Sequence, residues 1–193
     1  MDKTVKFAKI VRIITIAPIM ALVALSILYV VSPDIFQNFT NYILSVLFLT
    51  VMPVLAYPLQ PLIPKYRNQG REGQRNLAIV MAVLGYLCSI VSAFCFHMPK
   101  KVWQIYLTYF ISGTGILSFT NVLKVRASGH ACGVVGPISL MVYFIGTKAL
   151  LGIPVLILVY WACLKLKRHT VYQLFWGSMI PICSLIITVL FTG

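Results

Sequence analysis

Charge is absent from long stretches of this chain, and where it occurs it is gathered into short basic clusters. Ile13–Val31, Ile35–Pro64, Asn76–Pro99, Val102–Leu123 and His169–Gly193 contain no Lys, Arg, Asp or Glu. About 20 apolar residues make a helix that crosses the hydrocarbon of a bilayer, and each run supplies that length. Two further runs, Ala127–Thr147 and Ala149–Leu164, are parted by Lys148 alone. The second is short, yet roughly 17 residues still span. Charged residues are 10% of the chain, against about 25% in a soluble domain. Backbone inside lipid must satisfy its own hydrogen bonds, so such runs are helices. The alternating apolar and polar residues of a membrane barrel are missing. The expectation is an all-α integral membrane protein, a bundle of six to seven transmembrane helices in a single domain over 1–193.

In chain order, helices are expected at about 10–31, 39–63, 76–97, 101–122, 131–147, 149–165 and from 169 to about 191. Lys3, Lys6, Lys9 and Arg12 before the first run resemble the start of a secretory signal. The run exceeds a signal core and lacks a clear small-x-small cleavage site, so it reads as an uncleaved first helix. Pairing the helices into hairpins puts the N-terminus, Lys65–Arg75, Lys124–His130 and Lys165–His169 on one side. Thirteen of the sixteen Lys and Arg fall there; Lys100, Lys101 and Lys148 fall on the other. An excess of Lys and Arg marks cytoplasmic loops. The basic face and N-terminus are therefore expected in the cytoplasm, with the plasma membrane as the location.

The acidic residues are only Asp2, Asp34 and Glu72. That scarcity argues against a carboxylate dyad, a two-metal site and an Asp-rich magnesium site, so no metal or cofactor is expected. The five cysteines form no Cys-x-x-Cys pair and read as small buried hydrophobes. A net charge of +13 points to an anionic partner, either lipid headgroups or a phosphorylated substrate. No nucleic acid partner is expected.

His97, beside Pro99 and Lys100, reads as an interfacial polar residue. His130 and His169 differ, because each opens an apolar helix on the basic face among Lys and Arg. Ser128 and Gly129 before the run at 131 suit a helix N-terminus, whose free N–H groups favour phosphate. His169 and Gln173 are spaced i, i+4 and meet on one helical face. A Gln carbonyl accepting from one imidazole nitrogen leaves the other free to attack. Together these residues suit metal-free phosphoryl transfer. One histidine attacks phosphorus, the other protonates the leaving oxygen, and Arg, Lys and backbone N–H groups hold the phosphoryl oxygens.

At these residues the chain resembles the phosphatidic acid phosphatase type 2 superfamily, over roughly residues 60–185. That family's pattern is Lys-x6-Arg-Pro, Pro-Ser-Gly-His and Ser-Arg-x5-His-x3-Asp. The second part appears as Ala127-Ser128-Gly129-His130. The third keeps its spacing as Ala162-Cys163, five residues, His169, three residues, Gln173. The resemblance implies His169 as nucleophile, His130 as general acid, Gln173 as orienting group, and Ser128 and the Gly129 N–H as phosphate contacts. The chain departs from the pattern in all three parts, and in the second Ala127 replaces Pro. Cys163 stands where the family has a phosphate-binding Arg, for which Arg168, Arg126 and Lys124 are the nearby substitutes. Gln173 stands for Asp; an amide orients an imidazole but cannot neutralise an imidazolium. In the first part Arg75 matches but precedes Asn76, and Asn68 stands for Lys, with Lys65, Arg67 and Arg71 nearby.

The resulting expectation is a membrane lipid phosphatase acting through a phosphohistidine, with Arg75, Arg71, Ser128, Gly129, Arg168 and Lys124 binding the substrate phosphate. The alternative is a protein on the same scaffold that holds a lipid phosphate without hydrolysing it. A transporter is disfavoured by the uncharged helix interiors and the lack of an inverted repeat.

Overall fold

The computed structural model describes residues 2–193. Helices and turns make up the fold, with no strand among the described residues. Helix α1 is Lys3–Ile14 and α2 is Ala17–Val31. Helix α3 is Phe39–Leu62, α4 Gly70–Cys95, α5 Lys100–Asn121, α6 Gly129–Ile145, α7 Thr147–Lys165 and α8 Val171–Thr192. Four of them, α3, α4, α7 and α8, are long and apolar enough to cross a membrane. The α1–α2 pair, bent by 56°, brings the number to at most five.

The expected continuous helix over 10–31 is corrected. Helix begins at Lys3 and breaks at Thr15–Ile16, where Ile16 is extended at φ −62°, ψ 147°. Pro18 explains the break: it has no N–H for the Ile14 carbonyl, and its ring would strike that group in a continuous helix. Thr15 closes α1 by donating from Oγ1 to the Val11 carbonyl at 2.7 Å. In α3 the turn Leu47–Val51 widens to a π-helical turn. Pro53 follows it, and the wider turn relieves the same conflict at the Leu49 carbonyl. Gly85 of α4 crosses here; a Cβ at Gly85 would strike the Phe48 carbonyl and lie 3.2 Å from the Met52 Cβ.

Helix α6 sits at the centre, against α2, α5, α7 and α8, with Val134, Ile138 and Leu140 in the core. Its contacts with α8 run through small residues, among them Gly136 against Pro181. Small residues let backbones approach where no water drives helices together. Some polar side chains inside the bundle pair with one another, Tyr160 with Ser178 at 2.7 Å and Ser45 with Tyr106 at 2.9 Å, whereas the Thr50, Tyr109 and Thr188 hydroxyls and the Trp176 indole N–H are buried without a partner among the described residues. Helix α5 has 22 residues but carries Gln104, Thr108, Ser112 and Thr120, which lower its hydropathy. Thr108 and Ser112 each donate to the carbonyl four residues back, at 2.7 and 2.6 Å, so their burial leaves no hydroxyl unpaired.

Large apolar side chains cover the outside, from Phe94 at 74% to Phe191 at 86% exposure. An apolar exterior of this extent is what lipid contact requires and water does not tolerate. The two ends of the bundle differ. At one end Asp34 pairs with Lys101, and Lys100 donates to the Gly193 carbonyl at 3.2 Å. His97 lies near that end as well, exposed at φ 48°, closing α4 while the Met98 N–H returns to the Ala93 carbonyl at 3.0 Å. That is a left-handed helix end. The other end gathers Asp2 near Lys165 and the Arg126–Glu72 pair at 3.1 Å. Arg12 and Arg75 stand there around His169.

Candidate active site

Two chain segments build the site. The first is the link before α6. Lys124 turns it at φ 56°, and the Val125 N–H returns to the Phe119 carbonyl at 2.9 Å. Ser128 is the N-cap of α6: its hydroxyl accepts from the Ala131 N–H at 3.3 Å, and its carbonyl from the Cys132 N–H at 3.0 Å. Of the donors at this helix end, the Gly129 and His130 N–H groups have no acceptor among the described residues. Gly129 is exposed, whereas Ser128 is fully buried. Ser128 therefore shapes the turn, and the unpaired N–H of the exposed residue Gly129 is left at the helix start.

The second segment joins α7 to α8. Lys167, at φ 50°, ends α7, and the Arg168 N–H returns to the Cys163 carbonyl at 3.0 Å. Thr170 then caps α8 in a reciprocal box with Gln173, each bond 3.3 Å long. The Gln173 side-chain oxygen receives a second bond, from His169 Nδ1 at 3.0 Å. Only an oxygen accepts both, so the amide orientation and the imidazole tautomer are fixed together. His169 keeps its proton on Nδ1 and presents an unprotonated Nε2.

A backbone bond joins the segments: the Ser128 N–H donates to the Gln173 carbonyl at 2.9 Å. Gly177, one turn further along α8, permits this contact. A Cβ there would strike the Ser128 carbonyl and lie 2.9 Å from its nitrogen. His130 follows Ser128 by two residues and His169 precedes Gln173 by four, so this bond ties together the two segments that carry the histidines.

Guanidinium groups surround the pair. The charges of Arg12, Arg75 and Arg126 act on His169, and Arg12 also on His130. Burial is the main influence holding the His169 imidazole below its usual pKa. The Gln173 bond opposes it, and Arg12, Arg75 and Arg126 then reinforce it. His169 is accordingly held neutral at pH 7. An open cleft of about 410 Å³ lies beside it, lined by Leu164, Lys167, Arg168, His169, Thr170 and Gln173. His130, Arg12, Arg75 and Arg126 do not line that cleft. Arg168 is brought to the site; Arg71 and Lys124 are exposed, with no side-chain partner among the described residues. No cluster of three or more metal-ligating side chains occurs among the described residues.

Arg12 was not among the sequence candidates. It is half-buried in the last turn of α1, its Nε is buried without an acceptor, its carbonyl faces the His130 ring, and its guanidinium faces the Cys163 thiol. The signal was available in spacing: Ala8, Val11, Arg12 and Thr15 fall at i, i+3, i+4 and i+7, one helical stripe. The other three members of that stripe are buried.

No protein-family model matches this chain, and neither does any curated protein or any solved structure.

Proposed function

We propose that this protein is a membrane lipid phosphatase that removes a phosphomonoester or diphosphate from a lipid through a phosphohistidine. The observation that carries the reading is the bond from His169 Nδ1 to Gln173, which frees Nε2 among three guanidiniums. Nε2 attacks phosphorus, and the phosphorus–oxygen bond to the lipid breaks. His130, taken to the imidazolium as the bound phosphate anion favours its charged form, gives its proton to the leaving oxygen. Water then attacks the phosphohistidine, His130 takes the proton back, and inorganic phosphate leaves. The Arg side chains and the Gly129 N–H hold charge on the phosphoryl oxygens. A site among helix ends meets an anchored headgroup without extracting the lipid.

On this reading α5 and α6 cross the bilayer with the four apolar helices and the α1–α2 pair, giving seven spans, the upper of the six to seven expected. The basic end and N-terminus face the cytoplasm of the plasma membrane, as the Lys and Arg excess there supports. The resemblance to the phosphatidic acid phosphatase type 2 superfamily at residues 127–130 and 162–173 points the same way.

The test is phosphate release by the purified protein, with chelator present, from phosphatidate, phosphatidylglycerophosphate and a polyprenyl diphosphate. Release is expected from at least one and is lost in His169→Ala. No release, or release indifferent to that substitution, rejects the reading. Cys163 and Gln173 favour a second reading, lipid-phosphate binding without turnover. Tight phospholipid binding with no hydrolysis, even after Cys163→Arg, would establish it.

A further inference from the structure

The acids of this chain are all engaged away from Arg12. Asp2 accepts from Thr4, Asp34 pairs with Lys101 and Glu72 pairs with Arg126. Arg12 therefore has no carboxylate partner among the described residues, although its Nε is buried. The side chain as a whole is half-buried, and a guanidinium is a planar fork suited to two oxygens of one anion. The neighbours of Arg12 are not those of a structural cation. They are the Cys163 thiol, the His130 ring, His169 and the Tyr57 phenol. Its placement is firmly set: Ala8 and Val11 of the same stripe are buried, Phe7 packs on Trp161 at 5.8 Å, and the bend after Thr15 turns α1 out of line with α2.

We propose that Arg12 is a phosphoryl-binding residue of this site, delivering from α1 the guanidinium that Cys163 does not supply from α7. The proposal rests on the lipid-phosphate reading and names a group that reading lacks. Arg12 holds two oxygens of the phosphoryl group while His169 Nε2 faces phosphorus. Cys163 is small so that the Arg12 side chain fits over it.

Two measurements on the purified full chain test this. The first is protection against thermal unfolding by orthovanadate, a mimic of the transferred phosphoryl group. The second is lipid phosphate release. Arg12→Gln should abolish orthovanadate protection and lower kcat/KM by about 10²-fold, the loss typical of one charge-stabilising donor. Arg12→Lys, which keeps charge but not the fork, should fold and give intermediate values. Cys163→Arg placed in Arg12→Gln should restore protection and turnover, a rescue that a purely structural Arg12 would not allow. Unchanged protection and turnover in both Arg12 variants overturn the proposal, and so does a wild-type protein that orthovanadate does not protect. If wild type releases no phosphate from any lipid yet loses orthovanadate protection on Arg12→Gln, the hydrolase reading fails and the Arg12 site stands.

Discussion

The side-chain oxygen of Gln173 lies 3.0 Å from His169 Nδ1 and also receives the Thr170 N–H at 3.3 Å. One atom thus starts α8 and aims the imidazole. Gln173→Ala removes both bonds. The expected result is a drop in kcat of roughly 10²-fold, within the usual range for a misaligned proton-transfer group, and a loss of about 1 kcal/mol of stability from the broken cap. Steady-state kinetics and thermal unfolding of the same preparation separate the two effects. Loss of stability with kcat untouched would leave Gln173 a cap and nothing more.

The acidic limb of activity should lie below pH 6.5. Neutral His169 is the attacking form, and burial with the charges of Arg12, Arg75 and Arg126 depresses its pKa. As pH falls past 6.5 an ordinary imidazole takes a proton, whereas His169 stays neutral until its own lower pKa is reached. Arg126→Gln removes one positive neighbour and should move the limb of kcat/KM upward. Gln173→Glu keeps the shape of the cap but sets a negative charge against Nδ1, and should move it further upward. A limb that ignores both substitutions would mean that another group titrates.

Gly177 should tolerate no side chain. Any Cβ there meets the Ser128 backbone, so Gly177→Val must push the link away from α8 and separate His130 from His169. A stability loss of about 1–3 kcal/mol is expected, with activity falling much further than stability. Helical content by circular dichroism should be retained. A fully active Gly177→Val protein would show that the Ser128–Gln173 bond is dispensable.

Lys101 provides the matching control at the far end. It pairs with Asp34, and both side chains are largely exposed. Pairs of this kind contribute little. Lys101→Ala should leave phosphate release unchanged in rate and in pH profile. A large loss of activity would mean that the site is not confined to the basic end.

Much of this arrangement could be read from residues alone, because charge marks helix ends. The segment expected at 131–147 is found at Gly129–Ile145, and that expected at 101–122 at Lys100–Asn121. The i, i+4 spacing pointed to a His169–Gln173 contact on one helix face; the bond forms, but His169 lies before the Thr170 cap, outside α8, and meets Gln173 through the capping turn. The break at Ile16 did not emerge from hydropathy, which averages over Pro18 and treats a broken run as a whole one. Ser128 was read as a phosphate contact; its burial and its cap to Ala131 depend on how α6 starts, which spacing alone does not give. The Ser128–Gln173 bond joins distant segments through backbone atoms and leaves no trace in residue types. Arg12 was hidden by its company: beside Lys3, Lys6 and Lys9 it passed for a topology marker, although it occupies the one stripe of α1 that faces inward.

Helix α8 is pinned at both surfaces of the bundle. It holds Ser128 through Gln173 at one end, and at the other Thr192 meets Gln104 at 3.0 Å. Both imidazoles are thus referenced to a single rod. A thinner or thicker bilayer, which helices accommodate by leaning, would tip that rod as a unit and carry the two rings with it. The Ser128–Gln173 bond makes the link that carries His130 follow the start of α8.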